Sequence, residues 1–128
     1  MKLLLDTHAF IWAIASPERL SRRAAQALRA TGNQLYLSSA TPWELATKFR
    51  IGKLPQAARI LDDLDSLAAD LLARQLPITH AHAVRAGSLK ADHRDPFDRM
   101  IAAQAQLEGM QVITRDPAFQ ELDADVLW

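Results

Sequence analysis

Short apolar runs alternate with longer segments of helical period along the whole chain. Lys2–Leu5 carries three consecutive leucines with no polar alternation, as expected of a strand buried on both faces of a parallel sheet. Residues 8–14 are too continuous for such a strand and predict a helix, apolar nearly all round and therefore either buried or turned to a second subunit. Ser16 as cap and Pro17 at the first helical position predict a restart, with Leu20, Ala24, Ala27 and Leu28 in helical spacing until Gly32-Asn33. Residues 35–38 read as a second strand, and Ser39 to Glu44 opens a helix closed by Gly52. Ile60, Leu61, Leu64, Leu67, Leu71 and Leu72 predict one long helix over 57–74. A short strand over 76–79 follows, placed at an edge or a strand start by Pro77. Helices over 80–89 and 96–108, a strand over 111–114, a helical turn over 118–121 and a last strand over 126–128 complete the pattern. Strands alternating with helices argue for one α/β domain, residues 1–128, with a parallel sheet covered on both faces.

Composition narrows the function more than the fold. Lys and Arg number 15, Asp and Glu 15, so the formal net charge is zero, which argues against holding nucleic acid by bulk charge alone. The absence of cysteine excludes disulfides and thiolate-held zinc or iron–sulfur sites. Met1 to Leu5 begins like a secretory signal, but the apolar run breaks at Asp6, and no apolar stretch approaches the ~20 residues of a membrane span. A soluble cytoplasmic protein with no membrane partner is the expectation.

The acids carry the candidate chemistry. In an open parallel sheet, ligands bind beyond the carboxyl ends of the strands. Asp6 follows the first strand, Glu44 lies in the helix after the second, and Asp116 follows the strand over 111–114. Asp95 and Asp98 open the helix that feeds that strand, so all five can reach one rim. Each also has a reading as a helix cap: Thr41-Pro42-Trp43-Glu44 and Asp95-Pro96-Phe97-Asp98 both fit a capping box with proline at the first position, and Asp6 and Asp116 precede helical segments. Together, carboxylates crowded at one rim repel unless a cation sits among them, and no lysine is paired with them in a fixed local pattern. Oxygen-only donors select hard ions such as Mg²⁺ or Mn²⁺, and the chemistry that follows is phosphoester hydrolysis.

Four blocks, Leu3-Leu4-Leu5-Asp6-Thr7-His8, Trp43-Glu44-Leu45-Ala46, Asp95-Pro96-Phe97-Asp98-Arg99-Met100-Ile101-Ala102-Ala103 and Thr114-Arg115-Asp116, make the chain resemble PIN-domain proteins, and more narrowly the VapC toxins of toxin–antitoxin pairs. The resemblance spans the whole chain. It implies a three-layer α/β/α sandwich around four to five short parallel strands. It further implies a metal-dependent endoribonuclease, usually dimeric and inhibited by a cognate VapB-type antitoxin, that cuts RNA to leave a 5′-phosphate and a 3′-hydroxyl. Carried over by position, Asp6, Glu44, Asp98 and Asp116 match the acidic quartet that holds Mg²⁺ or Mn²⁺; Asp95 is either a cap or a neighbour of the metal. Thr7 and Thr114 are placed to hydrogen-bond those carboxylates, or to make only local turn bonds. Lys48, Arg50, Arg99 and Arg115 are candidate phosphate contacts, and His8 reads as structural or outer to the ligands. Trp12, Trp43 and Phe97 read as core or interface.

Two other phosphoryl-handling folds fit poorly. A haloacid-dehalogenase phosphatase needs a second aspartate where His8 stands, and a receiver domain needs an aspartate where the second strand ends in Ser38-Ser39. The remaining alternative is a catalytically silent PIN-like module that binds RNA or protein.

Overall fold

Beta strands β1 (Lys2–Leu5), β2 (Gln34–Ser38), β3 (Ala73–Leu76), β4 (Gln111–Ile113) and β5 (Val126–Leu127) form one sheet in the computed structural model, which describes Met1–Trp128. Every pairing is parallel and the order is β3-β2-β1-β4-β5. The chain winds outward from β1 to β3 on one side, then returns to lay β4 and β5 on the other. The topology therefore reverses between β1 and β4, where an open parallel sheet leaves a crevice at its carboxyl edge.

The three leucines of β1 show why the run lacks polar alternation. Leu3 and Leu5 face a core with Phe10, Ala24, Leu45 and Ile60. Leu4 faces the opposite core with Ile101, Ala102, Ala105, Val112 and Phe119. All three are fully buried, each worth ~1.5–3 kcal/mol of apolar transfer. Helices cover both sides: α1 (Thr7–Ala15), α2 (Arg22–Arg29), α3 (Ala40–Arg50), α4 (Ala57–Asp62) and α5 (Leu64–Asp70) are followed by α6 (His80–Ser88), α7 (Pro96–Glu108) and the short α8 (Ala118–Glu121). This is the expected three-layer α/β/α architecture. The apolar α1 is explained by burial, since Phe10, Ile11 and Trp12 all lie in the interior.

Two predicted helices are divided. The segment begun by Pro17 is only a 3₁₀ turn, Pro17–Arg19; Ser16 makes no side-chain cap, and Ser21 caps α2 instead by accepting from the Ala24 amide at 3.0 Å. The helix predicted over 57–74 breaks at Asp63 into α4 and α5, then reverses through Leu72, which is exposed and left-handed at φ 57°. The third strand accordingly comes earlier than expected, at Ala73–Leu76, and stops where Pro77 has no N–H to continue the ladder. Helix α7 ends where predicted, with Gly109 at φ 66° in the left-handed position that closes a helix at little cost for glycine.

Candidate functional site

Asp6 leaves β1 at the reversal point, its amide still donating to the Ile113 carbonyl of β4 at 3.2 Å. Its carboxylate has two tasks. Oδ1 accepts from the Ala9 amide at 2.6 Å and caps α1, while Oδ2 accepts from the Thr114 hydroxyl at 2.5 Å. The cap reading of the sequence is thus realised in Asp6, and its second oxygen is tied to Thr114. Burial raises its pKa to about 6, against the two hydrogen bonds and with added repulsion from Asp116 and Glu44.

Glu44 is a fully interior acid on α3, 3% exposed. One oxygen pairs with the Lys48 ammonium one turn on. That pair corrects the expectation that no lysine accompanies the acids: glutamate followed four residues later by lysine is a helical ion pair, legible in retrospect. Desolvation pulls the Lys48 pKa down, but the hydrogen bond and charge of Glu44, with Asp95 and Asp98 nearby, raise it overall. The other oxygen, Oε1, is buried with no partner. A capping box led by Thr41 does not form. Helix α3 starts earlier, at Ala40, and the buried Thr41 hydroxyl instead meets that of Thr7 at 3.1 Å. Thr7 therefore ties α1 to α3 rather than contacting a carboxylate.

At α7 the two acids divide their labour. Asp95 Oδ1 accepts from the amides of Phe97 at 2.9 Å and Asp98 at 3.2 Å, so Asp95 is the cap. Asp98 does not complete a capping box; its Oδ2 accepts from His93 Nε2 at 2.9 Å. Burial raises the Asp98 pKa to about 6, the His93 hydrogen bond opposes this, and Asp95 and Glu44 add repulsion. His93 has no role in the sequence reading, because its place across a loop from Asp98 has no periodic signature.

The candidate phosphate contacts separate. Arg99 is engaged by the loop it follows: Nε donates to Ala86, Nη1 to Ala91 and His93, and Nη2 to Leu89, all backbone carbonyls. Arg50 is exposed at the far end of α3. Lys48 and the exposed Arg115 remain beside the acids. Asp116 is exposed as well, with its amide on the Thr114 hydroxyl at 3.0 Å and its own Oδ1 capping Ala118 at 2.9 Å. Trp12 and Phe97 are buried as expected, whereas Trp43 is half exposed, its ring edge-on to Phe97 at 4.6 Å.

Glu44 thus repels both Asp6 and Asp98, with Asp116 adding to the first repulsion and Asp95 to the second. No three acidic or histidine side chains are drawn tightly enough to enclose an ion unaided. The donor set nevertheless suits a hard divalent cation, which binds through one or two carboxylates and keeps its waters. An unpartnered buried oxygen and two carboxyls held up near 6 are what such a cation would relieve.

Comparisons with known proteins bear on the family and the fold. Residues 3–125 match the PIN domain. The chain is 33% identical over 115 residues to Ribonuclease VapC22 of Mycobacterium tuberculosis, across 89% of this chain and 86% of that protein. Its fold is similar to VapBC2 from Rickettsia felis, solved bound to a DNA fragment from their promoter, with TM-score 0.73, 18% identity and coverage of 99% and 98% of the two chains. It is also similar to FitAcB from Neisseria gonorrhoeae, with TM-score 0.65, 23% identity and coverage of 98% and 96%.

Proposed function

The chain belongs to the PIN-domain family, and on that footing we propose that it is the endoribonuclease toxin of a toxin–antitoxin pair, dependent on Mg²⁺ or Mn²⁺. The observation that carries the reading is Glu44, a buried carboxylate with one unpartnered oxygen, which repels two carboxyls whose pKa values burial raises to about 6. Asp6, Glu44, Asp98 and Asp116 would hold the cation, with Asp95 as cap and neighbour. When bound, that cation supplies Lewis-acid polarisation of a phosphoryl oxygen and a water of lowered pKa. The protein's own part is orientation. Thr114 and the Ala9 amide fix both oxygens of Asp6, His93 holds Asp98, and Lys48 fixes one oxygen of Glu44 and leaves the other without a partner.

A relative named as a ribonuclease supports RNA as the substrate, and the solved VapBC and FitAB complexes support an antitoxin as the partner. A homodimer belongs to the same reading, as does a cytoplasmic setting; no helix is long and apolar enough to cross a membrane. The test is incubation with structured RNA in Mg²⁺ or Mn²⁺, with EDTA, Asp6→Asn and Asp98→Asn as controls. Cleavage that disappears in all three controls is the expected result. Cleavage that persists in EDTA or in both variants overturns the metal-nuclease reading, and binding without any cleavage favours a silent RNA-binding module.

A further inference from the structure

The cleft beside Asp6 does not end at the carboxylates. It encloses about 410 Å³ and runs on between His8, Arg19 and Arg115, with Trp12 among its walls. The Arg115 guanidinium lies 4.9 Å from the centre of the Trp12 ring and that of Arg19 5.7 Å from it. Trp128 backs the same indole at 5.9 Å, and Trp12 itself is buried. A fixed aromatic ring therefore holds two exposed cations at the mouth of one cleft, although they come from distant parts of the chain.

Neither cation has a carboxylate partner. The ion pairs of the molecule are Lys48–Glu44, His82–Glu108 and His93–Asp98, and none includes Arg19 or Arg115. This contrasts with Arg99, whose guanidinium is taken up by four backbone bonds. Two like charges gathered on one ring are favoured by an anion between them, and a planar guanidinium stacked on an aromatic face is already oriented to present its fork to phosphate.

We propose that Arg19 and Arg115, seated on Trp12, form a clamp for a backbone phosphate of the RNA strand flanking the phosphate that is cut. This rests on the ribonuclease reading and adds the path of the strand, which runs from the carboxylates along the His8–Arg115 cleft. An acidic peptide fits less well, because it would lay carboxylates beside Asp6 and Asp116. An RNA strand instead places one phosphate at the acids, where a cation mediates, and the next at the arginines. The clamp also explains how a chain of zero net charge holds a polyanion: it concentrates cations locally.

The experiment measures binding without cleavage. A short fluorescein-labelled single-stranded RNA of mixed sequence is titrated with the full chain in EDTA, by anisotropy, between about 50 and 200 mM salt. The comparison is between the Arg19→Gln/Arg115→Gln variant and an Arg22→Gln/Arg23→Gln control on the exposed side of α2. The clamp variant is expected to bind about tenfold more weakly, alike for unrelated sequences, with the slope of log K against log salt reduced by ~0.7 for each phosphate no longer held. Its melting temperature is expected to stay at the wild-type value, since both side chains are exposed. Affinity and slope equal to the control overturn the clamp while leaving the nuclease reading intact if the wild type still cuts RNA in Mn²⁺. A wild type that neither binds nor cuts RNA overturns both. Loss of polyglutamate binding with RNA binding intact assigns the arginines to an acidic protein and overturns the clamp.

Discussion

Lys48 occupies one oxygen of the buried Glu44 and leaves the other without a partner. A carboxylate buried in this way is stabilised by half of what it needs, and under the proposed function a cation would supply the rest. Lys48→Met removes the present partner and is expected to lower the metal-free melting temperature, by the equivalent of ~1–2 kcal/mol given that Lys48 is itself partly exposed. Saturating Mn²⁺ is expected to raise the melting temperature of this variant more than that of the wild type, because the ion then neutralises a charge that nothing else does. Equal Mn²⁺-induced shifts in thermal melts of the two proteins contradict this role for Glu44.

Asp6 and Asp98 predict how stability depends on pH. Both carboxyls sit near 6 in the folded protein, against an ordinary value of 3.8. A carboxyl harder to ionise when folded contributes stability that is complete below its unfolded pKa and is lost as pH rises through its folded pKa. The metal-free protein should therefore lose this contribution between pH ~4 and ~7, by up to ~3 kcal/mol for the deeply buried Asp6 and less for Asp98. Asp6→Asn, whose amide oxygen can still cap α1, should flatten that slope and stabilise the metal-free chain at pH 7.5 while abolishing cleavage. Under the proposed function protons and metal would compete for the same oxygens, so the Mn²⁺-induced rise in melting temperature should shrink below pH 6. Thermal melts across pH 4.5–8, with and without Mn²⁺, measure both effects.

The parallel sheet and the acids are legible in the sequence because each leaves a local signal. Unbroken leucines mark β1, and acids directly after strands mark the rim. The elements that differ from expectation lack such a signal. In β3 only Leu76 is buried, because this strand lies at the edge of the sheet, so Ala73-Arg74-Gln75 reads as the tail of a helix. The turn before it passes through Leu72, a residue with none of the chemistry that announces a left-handed backbone. The capping pattern around Pro96 points to Asp95 as a cap, yet nothing in it points to His93 as the partner of Asp98, because that pairing is made by folding a loop.

Arg99 is one of the candidate phosphate contacts, and its hydrogen bonds assign it a different task. Four guanidinium bonds gather the carbonyls of Ala86, Leu89, Ala91 and His93, which shape the loop that presents His93 to Asp98. Arg99→Lys keeps the charge and loses the fork. It is expected to destabilise by about 2–3 kcal/mol, since several partly buried carbonyls lose their donors. Activity should fall with it, while the salt slope for RNA binding stays at the wild-type value. A reduced slope would return Arg99 to the phosphate-binding set.

Gln104 ties α7 to the end of β2 and to the segment after β3. It is fully buried, accepts from the Ser38 hydroxyl at 2.5 Å and donates to the Pro77 carbonyl at 3.2 Å. Ser38 Oγ in turn accepts from the Ala40 amide at 2.9 Å, at the start of the helix that carries Glu44. This chain of bonds locks α7, which bears Asp98, to α3, and so fixes the separation of two carboxylates. Gln104→Leu fills the volume but strands the Ser38 hydroxyl and the carbonyl, at a cost of ~2–3 kcal/mol. Gln104→Glu retains the acceptor for Ser38 and loses only the donor, yet it buries a further charge beside His82, whose Nδ1 is 3.3 Å from the Gln104 amide. The leucine variant should show a lower kcat at saturating Mn²⁺ together with weaker Mn²⁺ binding. A purely structural residue would lower the melting temperature and leave the Mn²⁺ affinity of the remaining folded protein unchanged. Isothermal titration with Mn²⁺, well below the variant's melting temperature, separates the two.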